Sequence, residues 1–122
     1  MRQLHAAGVR LMAGTDTPLP LMFPGESVQQ EFDNLMRAGL STFDALVTAT
    51  RHPGEFVEQH VHPDALFGTI APLARADLLV LDANPLENIH VTASPKGVLL
   101  RGRWLGASEL KAMRGQLEAA GK

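Results

Sequence analysis

Apolar positions along the chain follow a helical spacing up to about residue 66 and a strand-like spacing after it. Leu4, Ala6 and Ala7 close a first short helix, with Gly8 just past its end. Val9-Arg10-Leu11-Met12-Ala13 predicts a short, mostly buried strand that runs out into Gly14-Thr15-Asp16-Thr17. Pro18, Pro20 and Pro24 then impose a loop from Pro18 to Gly25. Val28, Phe32, Leu35, Met36 and Leu40 recur at helical spacing, with Glu31, Asp33 and Arg37 on the other side and Gly39 as a stop.

Ser41-Thr42-Phe43-Asp44 has the form of a capping box, so a second helix begins there and presents Phe43, Leu46, Val47 and Thr50 on one face. His52-Pro53 ends it and opens a third helix over Gly54 to Gln59, because proline is tolerated in a first helical turn. His60 to Ala65 is polar and irregular.

Beyond Phe67-Gly68-Thr69 the period shortens. Ile70-Ala71-Pro72 predicts a brief extended piece, Leu78-Leu79-Val80-Leu81 a buried strand, and Asn84-Pro85 a turn. Val98, Leu100 and Trp104 alternate with Leu99, Arg101 and Arg103, which predicts one strand from Gly97 to Trp104 with a wetter face. Ser108 is placed to cap a last helix striped by Leu110, Met113 and Leu117. The expected division is 1–66, mainly helical, 67–105, β-rich, and 106–122, a helix.

Composition narrows the function classes. With 11 Lys+Arg against 13 Asp+Glu, the net charge is −2, and no basic stripe marks a nucleic-acid partner. The longest apolar run, Leu78–Leu81, is far too short to span a membrane. There is no cysteine, hence no disulfide and no thiolate nucleophile or metal ligand. No signal-peptide core follows Met1, so the compartment stays open, with the cytoplasm as the default.

Three pieces in order resemble the C-terminal part of the metal-dependent amidohydrolases, especially the imidazolonepropionase-like and prolidase-like members. They are Val9 to Thr17, with Asp16 after an apolar strand; Ala38 to Leu46 with Ala49-Thr50-Arg51-His52-Pro53; and Phe67 to Pro72 with Arg75 to Leu86, followed by the Gly97-to-Trp104 strand. The resemblance spans Val9 to about Leu105. It departs from the family at Leu73-Ala74, where a Gly-Lys or Gly-Arg turn is usual.

The resemblance implies an α/β fold: the eighth strand and following helices of a (β/α)8 TIM-like barrel, plus the C-terminal strands of an accessory β-sandwich. A complete barrel needs roughly 250 residues, so 122 residues would be a C-terminal fragment. The implied activity is hydrolysis of amide or cyclic-amide C–N bonds, of non-peptide or dipeptide type, on a small-molecule substrate. A divalent metal, zinc first, would serve the intact enzyme and not be held by this chain alone. Asp16 is the residue the resemblance assigns as both metal ligand and catalytic carboxylate. The family's other ligands, an early His-x-His, a Lys or Glu and two later histidines, have no counterpart here.

The residues themselves allow the bland alternative that Gly-Thr-Asp-Thr-Pro is only a turn. Thr15 and Thr17 flank Asp16 and could orient it, though turn polarity explains them as well. His60-Val61-His62 follows a polar helix rather than a buried strand and is expected to be a solvated loop, not a metal motif. His52 is expected to flank a helix start, Arg101 and Arg103 to share a solvated face, and Glu26 to sit in a helix's first turn, where the dipole favours it. A second reading of the whole chain is a stand-alone, non-enzymatic α+β binding or assembly module. That module would need its strand edges covered by a partner or by a homo-oligomer; the enzyme reading needs the remainder of the barrel.

Overall fold

Helices form where the apolar spacing asks for them. In the computed structural model, which describes residues 1–17 and 25–120, α1 covers Arg2–Ala6, α2 Glu26–Arg37, α3 Thr42–Ala49 and α4 Arg51–His60. The expected proline-rich loop lies outside the described residues, Gly25 excepted. Helix α2 buries Phe32 and Leu35 and ends before Gly39. The capping box is present: Ser41 Oγ accepts from the Asp44 amide at 3.1 Å and donates to Asp44 Oδ2 at 2.5 Å. That hydroxyl, ahead of a Ser41 backbone bond and nearby His5, holds the Asp44 carboxyl below its ordinary value.

The buried arc of α3 differs from the expected face. Ala45, Val47 and Thr48 are buried while Phe43 is half exposed. α3 packs against both α2 and α4, and its small residues at 45 and 48 let those helices approach. Helix α4 begins one residue beyond α3 and takes Pro53 into its first turn, where a missing amide leaves no intrahelical bond unmade.

The β-rich part is a three-stranded antiparallel sheet in the order β1-β2-β3: Leu78–Val80, Gly97–Leu100 and Arg103–Gly106. Leu79, Val98 and Leu105 lie in register on one face, and Leu78, Leu99 and Trp104 on the other. The single strand expected from Gly97 to Trp104 is thus a hairpin. Arg101 and Gly102 form its two-residue turn, at φ +50° and +81°, the signs of a type I′ turn. Arg101 and Arg103 therefore share no strand face: Arg101 tops the turn, and Arg103 pairs with Glu109 at 2.6 Å. Asp77, which precedes β1, pins the turn by accepting from the Arg101 amide at 2.7 Å. That bond, more than the nearby Arg75 guanidinium, lowers the Asp77 carboxyl from its ordinary value.

Ile70-Ala71-Pro72 enters no ladder. It leads into a turn closed by the Ala74 amide on the Ala71 carbonyl at 3.2 Å, with Leu73 at φ +68°. A 3₁₀ helix over Ile89–Ala93 was not anticipated; the Asn88 side chain caps it. α5, Ala107–Ala120, starts directly off β3, so Ser108 lies inside the helix and is not its cap. The α5 stripe faces largely away from the rest of the chain, with Met113 and Leu117 exposed.

Phe32, Leu35, Leu40, Ala45 and Ile89 form the core, flanked by Leu11, Ala13, Val28, Met36, Leu46 and Ala49. Ile89 comes from the β-rich part and the other four from the helical part before it, so the core crosses the expected boundary at residue 67. The whole is a mixed α/β arrangement of helices and one small sheet, compatible with a segment of a larger fold. Val9–Ala13 is the remaining departure: it is exposed or half-buried rather than mostly buried, and it joins no sheet among the described residues.

Two outcomes follow. Leu73 is almost fully exposed at a positive φ that costs a non-glycine residue roughly 1 kcal/mol, so Leu73→Gly should leave the chain equally stable or raise its melting temperature, read by calorimetry. The depressed Asp77 group contributes its turn-pinning bond above its unfolded pKa and loses it as pH falls through the lowered folded value. The Arg101 amide resonance should therefore stay constant at neutral and mildly acidic pH and titrate with a midpoint below that of an ordinary aspartate.

Candidate functional site

The segment that carries Asp16 is held by helices, not by neighbouring strands. The Val9 amide donates to the Leu4 carbonyl at 3.0 Å and the Ala13 amide to the Thr48 carbonyl at 3.0 Å. Between them the Leu11 carbonyl accepts from His52 Nδ1 at 2.8 Å. Leu11 and Ala13 pack on the core beside α3. The chain leaves this anchored stretch at Gly14, so the next polar residues project beyond it.

Asp16 is exposed and sits at φ +53°. Aspartate is among the few non-glycine residues that tolerate this left-handed region. Its carboxylate makes no hydrogen bond or ion pair with another described residue. Thr15 and Thr17 bond each other, Oγ1 to Oγ1 at 2.6 Å, rather than orienting the carboxylate. A carboxylate without a partner among the described residues, at a positive φ and at the end of an anchored segment, is a candidate to meet a ligand.

Among the described residues no group of three or more His, Asp or Glu side chains is placed to hold a metal ion. The histidines are dispersed and engaged. His60 packs on Phe56 with ring centroids 4.9 Å apart, and His62 Nδ1 accepts from the Asp64 amide at 3.3 Å, so His60-Val61-His62 does not converge. His5 lies 3.5 Å from Asp44, and His90 3.2 Å from Asp33. Glu26 occupies the first turn of α2, as expected.

Two clefts flank His52. One, of about 180 Å³, lies against Arg10, Arg51 and Asp44; the other, of about 200 Å³, lies against Met12, Phe56 and His60. Neither is lined by Asp16. The arginines beside them both pair with the one carboxylate of Glu55, at 3.3 and 3.7 Å. His52 is the residue that sequence reasoning undervalued. Its partner carbonyl is 41 positions away, a relation with no local signature.

No protein-family model matches the chain, and no curated protein does. Among solved structures, the chain is similar to one described as "putative prolidase from Bifidobacterium longum", with 30% sequence identity and a TM-score of 0.73. The similarity covers 99% of this chain and 30% of that one, so the chain spans under a third of that protein's length. No helix among the described residues is long and apolar enough to cross a membrane.

Because Asp16 sits at a positive φ and its side chain bonds no other described residue, Asp16→Gly should not lower the melting temperature, and relief of about 1 kcal/mol would raise it. Thermal unfolding of the two proteins side by side measures this.

Proposed function

We propose that this chain carries one part of the active site of a metal-dependent amidohydrolase that cleaves peptide-type C–N bonds, of the dipeptide or cyclic-amide kind. The observation that carries the reading is the 30% identity and TM-score of 0.73, sustained over 99% of the chain, with a structure described as a prolidase. In this reading Val9–Ala13 is a strand of a barrel whose neighbours lie outside these residues, and β1–β3 belong to an accessory sandwich. Asp16 then stands where such barrels place their chemistry, at the C-terminal end of a strand.

Asp16 is the proposed catalytic carboxylate and the proposed metal ligand of this chain. Amide hydrolysis needs a base to take a proton from the attacking water and return it to the leaving nitrogen. A carboxylate whose oxygens bond no other described residue can do both in turn. A zinc site takes about three protein ligands or more, and one carboxylate falls short of that, so the described residues do not make up a metal centre. The other ligands would come from polypeptide outside residues 1–122, and these residues alone are expected to be inactive.

The test is Asp16→Asn in the protein as its gene encodes it, assayed on a panel of dipeptides and cyclic amides. Asparagine tolerates the same backbone conformation, so the melting temperature should hold while kcat falls by about 10² to 10⁴. Wild-type turnover in this variant would remove Asp16 from the chemistry.

A further inference from the structure

We infer that His52 is a positioning residue for Asp16, fixing the segment that bears it by donating a hydrogen bond from Nδ1 to the Leu11 carbonyl. The inference rests on the reading of Asp16 given above.

An extended segment ordinarily takes its hydrogen bonds from strands on either side. Val9–Ala13 has none among the described residues, and His52 is the one described side chain that bonds its backbone. A carbonyl only accepts, so His52 Nδ1 carries the proton. Both the neutral Nδ1–H tautomer and the imidazolium can donate there, and the bond does not depend on the charge of the ring.

The donor itself stands on rigid ground. His52 is in the first turn of α4, ahead of Pro53, whose ring fixes its own φ. The backbone on either side is wedged against the 67–68 turn: a Cβ at Gly54 would run into the Phe67 carbonyl, and one at Gly68 into the Thr50 carbonyl. Two residues beyond Leu11, the Ala13 amide is held by the carbonyl of Thr48, which is buried and bonds the Ala45 carbonyl through its hydroxyl. The Val9 and Ala13 amides hold the two ends of the segment, and the His52 bond fixes the Leu11 peptide between them, which sets the direction in which the chain leaves Ala13. Asp16 lies three residues past Ala13, so tilt in the segment becomes displacement of the carboxylate. A misplacement of about 1 Å at a reacting group can cost 10²-fold in rate.

The side chains of two variants separate this from simple packing. Asparagine places its amide nitrogen at the position of the imidazole Nδ1, and leucine places a methyl there. In the protein as its gene encodes it, His52→Leu should lower kcat about tenfold or more with KM within about twofold, and His52→Asn should restore most of the loss. Amide exchange at Ala13, read without substrate, should quicken in His52→Leu and stay slow in His52→Asn. Unchanged kcat per folded molecule in His52→Leu, or an asparagine variant as poor as the leucine one, overturns the inference. Should His52→Leu not fold, the imidazole ¹⁵N spectrum of the unaltered protein at mildly alkaline pH decides. A protonated Nδ1 with a bare Nε2 supports the bond, and the opposite tautomer refutes it. The exchange and tautomer readouts involve no catalysis, so loss of the Asp16 reading, through an active Asp16→Asn, is distinguishable from loss of this one.

Discussion

Five side chains, Phe32, Leu35, Leu40, Ala45 and Ile89, hold the two halves of this chain together. Four belong to α2, α3 and the turn between them, and the fifth is carried in by a single 3₁₀ turn. Leu35 and Ile89 are 1% and 2% exposed, so neither can shrink without leaving a void. Removing such a side chain typically costs about 2–5 kcal/mol, a large share of the roughly 5–15 kcal/mol that holds a domain folded. The same cluster is the floor on which Leu11 and Ala13 rest. The path to Asp16 therefore starts in the core, passes through the anchored segment, and ends at an exposed carboxylate.

The rest of the apolar surface is less well served. Leu79, Leu100 and Trp104 are each about half exposed, at 50%, 50% and 51%, and they are shared between both faces of the sheet. The Trp104 indole lies over Gly97, where any side chain would collide with it. A sheet with apolar groups on both faces belongs between layers, which is the position a sandwich would give it. The Val9–Ala13 segment has the same character: Leu11 and Ala13 rest on the core, while its backbone meets no strand among the described residues. Both features agree with a segment of a larger fold.

Among the described residues, three non-glycine residues take positive φ: Asp16, Leu73 and Arg101. At Arg101 the hairpin turn requires it, and the Asp77 carboxylate compensates by binding the turn's amide. At Leu73 the turn requires it in a position where glycine would serve without strain. Asp16 has no turn-closing bond and no side-chain partner among the described residues. That contrast sets Asp16 apart from the other two.

Much of this was legible along the chain because its physical cause is local. Helical spacing set α2 and α3, Ser41 and Asp44 set the start of α3, and Leu78–Val80 declared a strand by its apolar run. The residues around Asp16 leave it open between a turn and a site; the family resemblance is what singles it out. What the sequence could not determine depends on partners distant along the chain. Alternation alone does not separate one strand from Gly97 to Trp104 from a hairpin, since a turn at Arg101-Gly102 is stabilised by Asp77, 24 positions earlier. The buried arc of α3 depended on having a helix on each side, and Ile89 looked unremarkable until it met α2. His52 read as a residue at a helix start; only folding brings the Leu11 carbonyl to its ring, because no rule of spacing links two positions 41 apart.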